Sequence, residues 1–192
     1  MLHIKLIVGS TREGRFSEKI IPWLENELKK KKEIIYEVLD LRDYDMPFYD
    51  QPISPSMVEN GEYEHEVVRN FAGKIREADA FLVIAPEYNH GYTAVLKNAL
   101  DSVYAEWNKK PISFVSYGSV LGGRVVEQLR QVAIELQMAP VRNALHMKGP
   151  WYLLDENNNL PEGALDEYKK SFECVLEQLH WWGEALKIAR NK

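Results

Sequence analysis

Short runs of β-branched and aromatic residues alternate along this chain with longer stretches in which apolar residues recur every three or four positions. Residues 4–8, 34–39, 80–85 and 112–116 are runs of the first kind, bounded by Gly, Asp or Pro, and read as buried strands. Helical spacing appears in Val67, Val68, Phe71 and Ile75, then in Val95, Leu96, Ala99, Leu100 and Val103. It returns in Val125, Val126, Leu129, Val132, Ala133 and Leu136. Residues 138–145, with Pro140 near the start, are expected to supply a fifth strand. Residues 166–189 carry Phe172, Val175, Leu176, Leu179 and Trp182 on one stripe of a long amphipathic helix. Strands separated by helices require right-handed crossovers. The expected architecture is therefore a parallel sheet covered on both faces.

The chain's 192 residues bury enough apolar surface for a core without staples, and residues 1–192 are expected to form one domain. With 45% apolar and 28% charged residues the composition is that of a globular protein. A net charge of −5 lacks the basic excess of a general nucleic-acid binder. Cys174 is the only cysteine, so an intrachain disulfide and a cysteine zinc site are excluded, and the pattern suits a reducing compartment. No apolar run approaches the ~18 residues of a membrane span. A cytoplasmic protein without membrane or nucleic-acid partners is expected.

The first helix has Ser17 as a candidate N-cap and Pro22 in its second turn, so it is either kinked or starts at Pro22. Lysines 29–32 close it as the dipole favours. Two connections are long. Residues 42–64 carry Pro47, Pro52 and Pro55, and residues 149–163 carry the asparagines 157–159. Loops of that length usually cover a site or a subunit contact.

In a doubly wound sheet, ligands bind where strands end. After the first strand comes GSTREGRFS (9–17), in which glycines, hydroxyls, two arginines and a helix start assemble what a phosphate dianion needs. Neither GxxxxGK nor GxGxxG is present, which argues against a P-loop nucleotidase and a dinucleotide fingerprint. After the third strand comes PEYNHGY (86–92), where Tyr88, Tyr92 and Asn89 suit a planar heterocycle with ring carbonyls and N–H groups. After the fourth comes SYGSVLGGR (116–124), whose glycines expose backbone amides. Each turn alone is also explained as a capped or flexible loop. Three at one sheet edge point to a ligand.

The segments GSTREGRFS, PEYNHGYTAVLKNALD and SYGSVLGGR resemble the three flavin-contacting loops of the NAD(P)H-dependent FMN reductases, whose relatives include azo- and quinone reductases. The resemblance covers residues 2–145. It implies a flavodoxin-like three-layer α/β sandwich with a five-stranded parallel sheet in the order 2-1-3-4-5. It also implies that Ser10, Arg12, Arg15, Phe16 and Ser17 surround the FMN phosphate. Pro86, Glu87, Tyr88 and Asn89 would line the isoalloxazine, while Ser116, Gly118, Leu121, Gly122 and Gly123 would complete the ring and ribityl contacts. NADPH or NADH would be the donor, and a flavin, quinone or azo compound the small-molecule acceptor. A homodimer or homotetramer is implied as well. Where the family has a serine and a proline after PEYN, this chain has Gly91 and Thr93. Residues from Gly149 onward match less clearly and are assigned a packing or oligomer role.

The cofactor carries such chemistry, so no catalytic side chain is expected. His3, His65, His90, His146 and His180 lack metal-ligand spacing, and no metal site is expected. Cys174 reads as a buried packing residue, and Tyr104 with Trp107 as part of an interface. The alternatives are a flavodoxin-like electron carrier without nicotinamide turnover, and a regulatory protein that uses the same sheet without flavin.

Overall fold

The structure, a computed structural model, describes residues 1–192. Strands β1 (Leu2–Val8), β2 (Ile34–Asp40), β3 (Ala80–Pro86) and β4 (Pro111–Gly118) alternate with helices α1 (Ser17–Lys29), α2 (Glu66–Glu77), α3 (Ala94–Ser102) and α4 (Gly123–Glu135). The sheet runs β2-β1-β3-β4, with every pairing parallel, as the alternation requires. No helix is long and apolar enough to cross a membrane.

The expected fifth strand divides in two. β5 (Ala139–Pro140) pairs with the start of β4, and β6 (Leu145–Lys148) pairs with its end, making six strands in all. Pro140 has no N–H for a ladder. The chain leaves the ladder after the Val141 amide donates to the Ile112 carbonyl (3.0 Å), and the residues up to β6 are held by side chains. The Ser113 hydroxyl donates to the Asn143 carbonyl (2.7 Å), and the Asn143 amide donates to the Gln178 side chain (2.7 Å).

Successive strand residues face opposite sides, and two cores follow from that alternation. Ile7, Phe81, Val83 and Phe114 join Val68, Phe71, Leu96, Ala99, Val125 and Leu129 from α2, α3 and α4. Leu6, Leu82, Ile84 and Val115 join Ile20 and Leu24 of α1 with Phe172 and Val175 of α5 (Lys169–Arg190). The last helix lies close on β1 at Gly183, where a Cβ would meet Leu2 Cδ2 at 2.6 Å. It is preceded by a 3-10 turn over Asp166–Tyr168, so the α-helix begins three residues later than its apolar stripe suggested.

Two expectations fail here. Cys174 is exposed, because it falls between the buried positions Phe172 and Val175 on the outer side of α5. Trp107 is fully buried, edge-on to Phe81 with ring centres 4.7 Å apart, and belongs to the core of this chain rather than to an interface.

Candidate functional site

β1, β3 and β4 are neighbours, so the three turns that leave their carboxyl ends meet at one rim. The Gly9 amide donates to the Ile84 carbonyl (2.9 Å), and a Cβ at Gly9 would sit 2.7 Å from that oxygen. Thr93, the N-cap of α3, donates its hydroxyl to the Gly9 carbonyl. Ser10 Oγ lies 3.3 Å from the Tyr88 hydroxyl, and the Glu87 amide donates to the Tyr117 carbonyl (2.9 Å). The middle turn closes on itself through paired amide bonds between Tyr88 and Gly91. Asn89 (φ 49°) and His90 (φ 74°) occupy the left-handed conformations such a hairpin needs.

In the first turn the two arginines part company. Arg15 is buried beneath the turn, where its guanidinium holds both Asp40 carboxylate oxygens and the Ser10 carbonyl. Burial works against the Asp40 charge, but Arg15 and the Arg42 amide outweigh it and hold the carboxyl below its ordinary range. Arg15 does not face the rim cavity and shapes the turn from below. Arg12 is exposed, has no carboxylate partner, and lies over the Tyr88 ring at 6.0 Å. Phe16, not Ser17, occupies the helix cap and supplies no side-chain bond. The Phe16 amide consequently has no acceptor within the chain, and the Ser17 amide and buried hydroxyl face only the Tyr117 phenol. Burial pushes the Tyr117 phenol up to about 12, so this group beside Ser17 and Phe16 stays neutral.

The third turn is built on Leu121 (φ 63°) and Gly122 (φ 69°), consecutive left-handed residues. A Cβ at Gly122 would lie 2.8 Å from the Tyr117 nitrogen. Below it, the Ser116 hydroxyl contacts His146 Nδ1 at 2.8 Å. Burial, with help from Arg130, keeps the His146 pKa below the ordinary histidine value despite the Leu121 carbonyl and Glu127. Residues 119–122 form a tight turn in which Ser119, Val120 and Leu121 are exposed.

Two cavities open on this rim, of about 640 and 620 Å3, and share Arg12 and Tyr88. Of the expected residues, Arg12, Phe16, Pro86, Glu87, Tyr88, Asn89 and Gly118 line the first, and Ser10 lines the second. Arg15, Ser17, Ser116, Leu121, Gly122 and Gly123 stand behind or beside the walls. Glu87 is nearly buried; one carboxylate oxygen binds Arg124, and the other has no partner. His90 lies on the outside of its turn, against Arg124 (2.7 Å).

Sequence reasoning missed Lys19, Trp151, Leu154 and Asn158 in the first cavity and residues 45–48 in the second. The length of the two connections was the available signal. Their register against the sheet is set by contacts distant in sequence, such as Asn98 donating to the carbonyls of Met46 and Pro47 (both 3.0 Å). A smaller cavity of about 260 Å3 lies under residues 47–53, next to His65, and contains none of the expected residues.

The chain is similar to known proteins over most of its length. The family described as NADPH-dependent FMN reductase matches residues 2–151. The chain is 40% identical over 144 residues to an NAD(P)H-dependent FMN reductase of Schizosaccharomyces pombe, an alignment covering 74% of this chain and 72% of the relative. It is 31% identical over 199 residues to another of Saccharomyces cerevisiae, covering both chains fully. An NADPH:quinone oxidoreductase of Arabidopsis thaliana is 40% identical over 132 residues, covering 65% of this chain and 67% of that one. Among solved structures, the FerB NAD(P)H:(acceptor) oxidoreductase of Paracoccus denitrificans shares the fold. Its TM-score is 0.70 at 17% identity, over 97% of this chain and 98% of that one.

Proposed function

Because the chain belongs to the NADPH-dependent FMN reductase family and is thus an FMN-dependent oxidoreductase that draws hydride from NAD(P)H, we propose that the first rim cavity is its flavin site. The observation that carries this is a set of polar groups left open on that rim. The amides of Phe16 and Ser17, the Ser17 hydroxyl and the free Arg12 guanidinium suit a phosphate dianion at a helix start. The unpartnered Glu87 oxygen is an acceptor for a ring N–H, and the Ser119 amide on the cavity wall is a donor for a ring carbonyl. The buried ones among them, the Ser17 hydroxyl and the second Glu87 oxygen, are costly in a finished fold unless a ligand completes them.

In this reading Arg12, Phe16 and Ser17 hold the phosphate, with Arg15 and Ser10 fixing the turn. Residues 86–89 line the ring. Gly118 and Ser119 close its edge, and Ser116, Leu121, Gly122 and Gly123 set the shape of that edge. When bound, FMN supplies the two-electron acceptor for hydride and passes the electrons on. The chain contributes orientation and a field that favours negative charge on the ring, with no side chain required as acid or base. Tyr88, 37% exposed, offers a face against which donor and acceptor could pack in turn. Quinones, flavins or azo compounds are the acceptor class, as the quinone reductase relatives suggest.

The same reading makes the chain one domain and a homodimer or homotetramer. Phe48, 78% exposed beside the second cavity, is a residue that a neighbouring subunit would cover. A cytoplasmic location accords with a lone, unpaired cysteine. Anaerobic addition of NADPH to the FMN-saturated protein tests the function. Bleaching of the visible flavin band at one equivalent is expected, and a stable yellow solution would overturn it.

A further inference from the structure

The first cavity holds a second cation besides Arg12. Lys19 lines it from α1 and is unpaired with any carboxylate. Its ammonium donates only to the Asn158 carbonyl. Its sequence neighbour Glu18 pairs with Arg42 and Arg15, and Glu87 on the same cavity wall pairs with Arg124. The cavity therefore carries two uncompensated positive charges, Arg12 in the turn and Lys19 at the outer wall. That wall is otherwise Trp151, Leu154 and Asn158, and the last two lie beyond the family match at residue 151.

The wall is built rather than slack. Asp155 accepts from the amides of Asn157 (2.9 Å) and Asn159 (2.8 Å), and its own amide donates to the Asn159 carbonyl (2.8 Å). Asn158 sits at φ 62°, at the apex of this closed turn, and its carbonyl fixes Lys19. Trp151 is 40% exposed, with its ring centre 5.8 Å from that of Tyr152. A pinned ammonium beside a half-open indole suits a phosphate joined to a flat base. Quinone acceptors are uncharged rings and have no use for the ammonium. The donor brings both groups, since its remote half is an adenosine carrying a pyrophosphate and, in NADPH, a 2′-phosphate.

We propose that Lys19 and Trp151, braced by the turn at Asn158, form an outer subsite for the adenosine-phosphate half of NAD(P)H. The proposal rests on the reading of this cavity as the flavin site. The subsite fixes donor affinity while the ring half of the donor reaches the flavin. Only its brace, the turn at Asn158, lies beyond the family match.

The test uses FMN-saturated protein and two readouts. Calorimetry measures adenosine 2′,5′-bisphosphate binding, and stopped-flow reduction compares NADPH with dihydronicotinamide mononucleotide, which lacks the adenylate half. In the K19M/W151A variant the bisphosphate should bind about tenfold more weakly, as loss of a charge-assisted contact implies. The kcat/KM ratio of NADPH to the mononucleotide should fall by a similar factor, and Lys19→Arg should restore much of both. An unchanged bisphosphate affinity or an unchanged ratio overturns the subsite. So does a loss of FMN affinity in place of donor affinity, which would assign Lys19 to the flavin phosphate. If the wild-type protein binds FMN but neither donor reduces it, the donor reading itself fails and the subsite falls with it.

Discussion

The two ends of the sheet treat polar groups in opposite ways. At the amino end nearly every charge is matched. Asp79 accepts from the His3 amide (3.0 Å), Lys187 (2.7 Å) and Arg190 (3.0 Å), tying α5 to the sheet. Lys110 donates to the terminal carbonyls of α2, Ile75 (2.8 Å) and Arg76 (3.0 Å), and buried Glu106 takes Tyr63 (2.7 Å) and Arg76 (2.8 Å). At the carboxyl end, amides, a hydroxyl, a carboxylate oxygen and two cations are left open around cavities. One end closes the fold, and the other holds groups in place for a ligand. Substitutions at the amino end should therefore lower stability and spare flavin binding, while those at the rim should do the reverse.

The largest stability effect is expected from Asp79→Ala, which strands Lys187 and Arg190. Unfolding in denaturant should show a loss of about 3 kcal/mol, with FMN affinity of the folded protein unchanged. A parallel loss of flavin affinity would break the division between the two ends. Gly122→Ala is next, because it places a Cβ 2.8 Å from the Tyr117 nitrogen at φ 69°. It should cost about 1–3 kcal/mol and also weaken FMN binding, since the third turn must shift. Normal values of both would show that this turn does not shape the site.

The last effect concerns pH. Burial, aided by Arg190, lowers the Lys110 pKa to about 7 in the fold, against about 10.4 in an unfolded chain. Below pH 7 the fold carries a disfavoured charge. Between the two values the unfolded chain binds more protons, so this group makes stability rise with pH. Lys110→Met should compare best with wild type below pH 7, and the comparison should worsen by up to about 1.4 kcal/mol per pH unit toward about pH 10. Melting curves at several pH values would show this, and a constant difference would mean that Lys110 stays charged throughout.

The amino-terminal half of this picture was legible early because it is local. Strand runs such as residues 80–85 and helical stripes such as Val68, Phe71 and Ile75 declare themselves by period, and all of these side chains are buried. The rim turns were legible as composition but not as geometry. Nothing within GSTREGRFS tells Arg12 from Arg15, because what separates them is Asp40, 25 positions beyond Arg15. The broken last strand and the wall at Trp151 depend on contacts with Ser113, Gln178 and Lys19, which no local pattern encodes. Cys174 was misjudged because a helical stripe leaves neighbouring positions on different faces, and one residue of phase decides burial.

Equilibrium titration of Arg12→Ala with FMN, alongside its melting temperature, tests the central claim most directly. Loss of a charge-assisted phosphate contact should raise the dissociation constant by roughly ten- to a hundredfold while the apoprotein melts as wild type does. Wild-type affinity in that variant would contradict the placement of the flavin phosphate at the first rim turn.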